Sequence, residues 1–286
     1  MRTEQDLLDH LRARSTPYSD PLAQVRWSHL THDDFWLPES AISLYGCEVY
    51  ETLDEPTRRR LSHYEFVYFI SGALWLEGLF MERIARATLA GHSPLSTLAY
   101  RLHELREEAG HSLMFIEFLQ RAELDLPRRQ FARPRLATLV GRLAPFESTL
   151  FWIAVLIGEE VPDRMNRLIR RHRDTISLTV HDLVSLHMID EARHMAHARD
   201  TVSRLLADLP APYRSIYRPL TKTVFRQFVQ AFYFPTADVY RLAGLPSGTD
   251  YVSRARNNPH RAKFVDYCVE DALTILRAGG LVLNWR

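Results

Sequence analysis

Apolar residues recur along this chain at intervals of three and four, the period of a helix that buries one face. Valine- or isoleucine-rich runs joined by hairpin turns are absent, and glycine is scarce, with 11 in 286 residues. Four long stretches carry the helical period, at about 55–90, 94–122, 146–172 and 175–207. A shorter helix begins near Thr3 and Asp6, and 17–53, broken by Pro17, Pro21 and Pro38, reads as irregular. The first long helix should end near Gly91. Ser93 and Pro94 then supply an N-cap and first-turn pair for the second. Pro127 and Pro134 mark the next connection, Pro162 lies inside the third helix as an expected kink, and Asp174 is placed to cap the fourth, which stops before Pro210. Further helices are expected at about 211–233 and 260–278, separated by the turn-rich LAGLPSGTD. Four helices of roughly 26–36 residues, against a mean of about 12, predict an all-α, long four-helix bundle with extra N- and C-terminal helices. No Gly-, Ser- or Pro-rich linker divides the chain, so a single domain over 1–286 is expected, with its bundle core at about 55–207.

Composition narrows the function without naming it. The 36 Lys and Arg nearly balance 35 Asp and Glu, a formal charge of +1 that gives no field for nucleic acid or anionic membranes. Cys47 and Cys268 are too few for a disulfide framework or a cysteine zinc site, and a reduced, cytoplasmic compartment is expected. No apolar run reaches the roughly 20 residues of a membrane span, and the charged N-terminus MRTEQDLLDHLRARS lacks a signal-peptide core.

The chemistry sits where acids and imidazoles interrupt the apolar stripes. On the fourth long helix the stripe runs Ile176, Val180, Val184, His187, Glu191, His194, Ala198, Val202. Spacings of four and three place His187, Glu191 and His194 on one face. On the second, Leu102 and Leu105 lead into Glu108-x-x-His111 and then Phe115 and Phe118; on the first, Glu77 stands in the row Val67, Ile70, Leu74, Met81, Ile84. The third carries the pair Glu159-Glu160 after Leu156 and Ile157. Burying such groups without compensation costs several kcal/mol each, and a metal is the economical compensation. The offsets agree: 108 minus 77 is 31, and 191 minus 160 is 31. A seam Glu followed at equal distance by Glu-x-x-His, twice over, is the pattern of a duplicated dimetal carboxylate bundle. Equal offsets favour Glu160 over its neighbour Glu159. Four Glu and two His form an oxygen-and-nitrogen set suited to iron or manganese, and His187, one turn before Glu191, is a seventh candidate.

The set Glu77, Glu108-x-x-His111, Glu160 and His187-x-x-x-Glu191-x-x-His194 resembles the ligand set of the p-aminobenzoate N-oxygenase family. These are ferritin-like diiron enzymes that include aryl-amine oxygenases of antibiotic biosynthesis. The resemblance covers about residues 60–205, and its third histidine departs from the four-Glu, two-His pattern of other ferritin-like proteins. It implies a ferritin-like fold and two iron ions, with a manganese–iron pair as the alternative cofactor. It also implies an O2-dependent monooxygenase that oxidises the amine nitrogen of a small molecule, free or carrier-bound, to hydroxylamine, nitroso or nitro in natural-product biosynthesis. Electrons must come from an external reductant or reductase, since no GxGxxG fingerprint is present, and a homodimer is the expected assembly. Two other readings keep the same ligands: a hydroxylase or desaturase acting on carbon, and a non-enzymatic iron-handling protein.

Among the remaining residues, Asp190 and Arg193 flank the ligands and are candidates to orient them. His181 and His197 lie off the seam. Glu65 and Glu82 are expected at the surface, and the aromatic group Phe225, Phe228, Phe232, Tyr233 and Phe234 is expected in the core or at a dimer contact.

Overall fold

A computed structural model describes residues 4–89, 93–126, 131 and 133–286. The expectations at Gly91 and Pro127 lie outside these residues. Eleven described helices follow in order: α1 (Glu4–Ser15), α2 (Glu48–Glu51), α3 (Glu55–Leu89), α4 (Leu95–Arg121), α5 (Arg135–Leu143), α6 (Thr149–Arg171), α7 (Leu178–Ala207), α8 (Ala211–Tyr233), α9 (Ala237–Leu242), α10 (Tyr251–Asn257) and α11 (Pro259–Ala278). No strand occurs among the described residues; Phe35 and Ile176 form an isolated bridge.

The bundle consists of α3, α4, α6 and α7, with α3 packed on α4 and α6 on α7. Their facing stripes merge into one apolar core that includes Phe66, Ile70, Phe115, Phe118, Leu156, Ile157, Val180 and Val184, all nearly inaccessible. Around it, α1 lies on α4 and α7, α5 and α8 cover α3 and α6, and α11 closes over α6. Residues 17–47 wrap one end as single turns. This stretch is tied to α7 by Arg26, whose Nε and Nη2 donate to both carboxylate oxygens of Asp182 at 2.7 and 2.6 Å.

Helix starts differ from the sequence expectation where tertiary partners compete for the capping group. The fourth long helix begins after Ser177, not at Asp174, because the Ser177 N–H donates to the Phe35 carbonyl (2.8 Å) and fixes where the helix starts. Pro94, rather than Ser93, is the N-cap of α4; the Ser93 hydroxyl accepts instead from Arg101 Nη1 at 2.9 Å. α6 is capped by Ser148, which accepts from Phe151 N at 3.3 Å, and runs on through Pro162. Four short helices went unread in the sequence, the first being α2, four residues inside the stretch read as irregular. α5 is amphipathic but only nine residues long, while α9 and α10 flank LAGLPSGTD with six and seven. Segments this short are marginal alone and are held by packing.

Candidate metal centre

The middle of the bundle holds a buried cluster of acids and imidazoles. α3 brings Glu77, α4 Glu108 and His111, and α7 His187, Glu191 and His194. Five of these six are buried, and His187 is nearly so. His187 Nε2 lies 3.2 Å from Glu77 Oε1 and 3.3 Å from Glu191 Oε1. His111 Nδ1 is 3.3 Å from Glu191 Oε1, 3.5 Å from Glu108 Oε2 and 3.9 Å from Glu77 Oε1. His194 Nδ1 is 3.1 Å from Glu108 Oε1 and 3.3 Å from Glu191 Oε2. Two groups of donors therefore converge, Glu77–His111–His187–Glu191 and Glu108–Glu191–His194, joined by Glu191.

Glu160 is not part of this convergence. Its carboxylate turns away and is clamped by Arg199, with Arg199 Nη2 donating to Oε2 at 2.8 Å. Glu159 faces the cluster instead: it hydrogen-bonds to Glu191 and lines the cavities on both sides of the donors. Adjacent helical residues differ by about 100°, so only one of the pair can face inward. The equal offset assumed that both halves of the bundle enter the seam with the same helix phase. The phase of α6 is set instead by its packing on α7 and by the Arg199 anchor.

Each imidazole is held from behind. His111 Nε2 meets Asp190 Oδ2 at 3.3 Å, and His194 Nε2 meets Glu107 Oε2 at 3.0 Å. Arg193 Nη2 bridges Glu107 and Asp190 at 2.8 and 2.5 Å, so one guanidinium steadies both supports. His187 Nδ1 lies 3.3 Å from the Asn166 amide. Such partners fix ring orientation and raise ligand basicity. Asp190 and Arg193 were legible as flanking residues. Glu107 and Asn166 were not, although Glu107 beside a seam Glu, and Asn166 two helical turns past Glu159, are signals that could have found them. His197, off the seam, is buried with Nδ1 3.1 Å from Glu104 Oε1 and its ring against Trp152 and Tyr100.

Electrostatics show a cluster whose members shift one another's protonation. Burial, reinforced by Glu108, pushes Glu77 well above the usual carboxyl range, and burial with Glu191 does the same to Glu159. Burial also opposes ionisation of Glu108 and Glu191, but hydrogen bonding to Glu77 and the nearby His194 charge win. Glu108 is held well below its ordinary value, and Glu191 falls to about 2. Against burial, Asp190 and Glu108 lift His111 to about 9, and Glu191 and Glu108 raise His194 strongly. Burial lowers His187 to about 4. Like charges are thinned in this way: two of the four acids are pushed towards the neutral form, and two of the three imidazoles towards the charged one.

The cluster remains unsatisfied in hydrogen-bond terms. Glu108 Oε2, Glu191 Oε2, His111 Nδ1 and His194 Nδ1 are buried with no partner in acceptable geometry. Buried polar atoms are almost always paired, and each orphan costs about 1–3 kcal/mol. Converging oxygen and nitrogen orphans, backed by oriented imidazoles, fit a mixed O/N metal centre of the iron or manganese type.

Two cavities meet at the cluster. One, a narrow space of about 30 Å³, is walled by Phe80, Phe146, Phe151, Trp152 and Val155 and ends on Glu108, Glu159 and His194. The other, of about 20 Å³, lies by Glu77, His187 and Glu191 beneath Phe232. Phe225, Phe228, Phe232 and Tyr233 are core residues, as expected.

The family model for P-aminobenzoate N-oxygenase AurF matches residues 1–280. This chain belongs to that family. The structure is similar to ferritin-like oxidases. One, an R2-like ligand-binding oxidase variant with an anaerobically reconstituted Mn/Fe cofactor, aligns over all of this chain and 94% of its own at 12% identity and TM-score 0.61. The R2-like ligand-binding oxidase from Sulfolobus acidocaldarius aligns over 97% and 91% at 17% identity and TM-score 0.53. At such identities the likeness establishes the fold, a ferritin-like all-α bundle. Among curated sequences, the uncharacterized proteins Rv0885 of Mycobacterium tuberculosis and Mb0909 of Mycobacterium bovis are 32% identical over 129 residues. That stretch is 43% of this chain, which spans little more than a third (37%) of the relatives' length. No helix among the described residues is long and apolar enough to cross a membrane.

Proposed function

We propose that this protein is a dimetal oxygenase that uses O2 to oxidise the amine nitrogen of a small apolar, aromatic substrate. The carrying observation is the aromatic cavity that ends on the buried, orphaned Glu/His cluster, in a chain of the N-oxygenase family. Glu77, His111, His187 and Glu191 would hold one ion. Glu108, Glu159 and His194 would hold the other, with Glu191 shared. Two iron ions suit this set, and a manganese–iron pair suits it equally. When bound, the pair supplies the two-electron activation of O2, drawing on an external reductant.

The remaining steps belong to the chain. Metal entry requires Glu77, Glu159, His111 and His194 to give up their protons, so loading releases up to four protons and weakens as pH falls. Asp190, Glu107 and Asn166 keep the rings aimed as those protons leave; an Asn166 flip that presents Oδ1 would hold the proton on His187 Nδ1 and free Nε2. Phe80, Phe151 and Trp152 exclude water, and their side chains must part to admit a flat ring beside the donors. Glu104, set by His197, offers an acceptor for an amine N–H.

The test is anaerobic loading with ferrous iron, then O2, a reductant and a panel of aryl amines, with products identified by mass spectrometry. Hydroxylamine, nitroso or nitro products that disappear in Trp152→Ala are expected. Oxygen found only on carbon would overturn N-oxidation, and iron retention without any turnover would overturn the oxygenase reading.

A further inference from the structure

The outer side of α8 faces a second kind of cavity, unrelated to the proposed reaction. It is open, occupies about 530 Å³, and is lined by Arg135 from the first turn of α5, Arg226 of α8 and Arg256 of α10. Gln227, Gln230 and Thr236 add polar groups, while Tyr68, Phe234 and Val252 give an apolar floor. No Asp or Glu lines it. None of the three arginines makes an ion pair among the described residues, and residues outside that set include no acid. The nearby Asp238 and Asp250 are engaged elsewhere, with Arg241 and with Ser253 N.

The other polar groups are also arranged as donors. Gln227 Oε1 accepts from Leu136 N at 2.8 Å, which leaves the amide NH2 as its free function. The Thr236 hydroxyl oxygen is buried and has no hydrogen-bond partner, a deficit that a ligand would remove. The N-terminus of α5 opens beside Arg135 and favours negative charge there.

We propose that this cavity binds a phosphoryl-bearing small molecule. Three unpaired guanidinium forks, an amide and a hydroxyl surround one space without a single acid. That set calls for an acceptor-only ligand with several oxygens and more than one charge. Phosphate and pyrophosphate groups match the planar forks bidentately, whereas a lone carboxylate would satisfy one fork. The apolar floor leaves room for an organic portion of a phosphate ester.

The test is isothermal titration calorimetry of the full chain in physiological salt, first with inorganic pyrophosphate and then with ADP. Saturable one-to-one binding of pyrophosphate is expected. Arg135→Ser, Arg226→Ser and Arg256→Ser should each weaken it about tenfold, the scale of one charge-assisted bond. All three side chains are at the surface, so the variants should keep the parent melting curve. Arg218→Ser, an exposed arginine of α8 outside the cavity, should bind like the parent. Tighter ADP binding would place the organic portion on the floor, and equal binding would restrict the site to the phosphoryl group. Absence of binding at millimolar pyrophosphate, or equal weakening by Arg218→Ser, overturns the proposal.

Discussion

α3 carries two buried carboxylates about three turns apart, and their surroundings differ in kind. Glu65, expected at the surface, is 3% exposed. It accepts from Ser43 N at 2.9 Å and from the Ser43 hydroxyl, which also contacts Tyr240 Oη at 2.9 Å. Asn258 donates to the carbonyls of Ser43 and Tyr45, and Arg261 to those of Tyr233 and Ala41. Burial raises the Glu65 carboxyl, Arg261 counteracts, and no atom of its carboxylate is orphaned. At Glu77 the groups repel, share protons and leave lone pairs unused. A buried carboxyl group is common to both, so burial alone does not mark a metal site. Convergent, unsatisfied donors do, because they are stable only when something else arrives.

The sharpest break between the two regions is metal stoichiometry. Wild-type protein should bind two ferrous ions per chain, and Glu191→Ala should lose both, because Glu191 is the shared donor. Glu65→Gln should bind as wild type; inductively coupled plasma analysis of dialysed protein decides. The adjacent pair gives a finer version: Glu159→Ala should lose one ion and Glu160→Ala none, and a reversed result would restore Glu160 to the site.

Next in size is a stability contrast in metal-free protein, read by urea denaturation. Glu65→Leu strands the Ser43 N–H in the core, leaves its hydroxyl with Tyr240 alone, and should cost about 2–4 kcal/mol. Glu77→Leu thins a crowded set of acids but also removes the partner of His187 and Glu108, so it should cost less than Glu65→Leu, about 1 kcal/mol. Equal destabilisation by both would erase the distinction.

The smallest effect concerns His63, which sits on α3 near Glu65, 3% exposed, with Nε2 2.8 Å from the Asp34 carbonyl. Burial lowers its pKa to about 4 from 6.5. The unfolded chain therefore binds a proton more readily, so stability falls as pH drops from 6.5 towards 4, by at most about 3 kcal/mol. His63→Asn should flatten the metal-free stability curve in that window, checked by melts at pH 7, 6, 5 and 4.5. An unchanged slope would place the acid sensitivity in the cluster instead.

Much of this was legible because helical period and ligand spacing are local. The long-helix rows, the two Glu-x-x-His motifs and the third histidine are all intervals within one helix, so the seam positions of Glu77, Glu108, His111, His187, Glu191 and His194 could be read from their neighbours. The choice between Glu159 and Glu160 was not local. It depends on the rotation of α6 against α7, and Arg199, 39 residues away, sets it.

Sequence alone determined the all-α class, the long helices and the donors on three of the four bundle faces, since a residue's face on a helix follows from its number modulo the turn. Tertiary packing decided what each buried acid is for. Glu65 became a satisfied strut and Glu160 an anchor to Arg199, while Glu159 was turned toward the cluster. It also gathered Arg135, Arg226 and Arg256 from three separate helices around one cavity. A carboxylate's partners can lie anywhere along the chain, and only the folded chain brings them within hydrogen-bond reach.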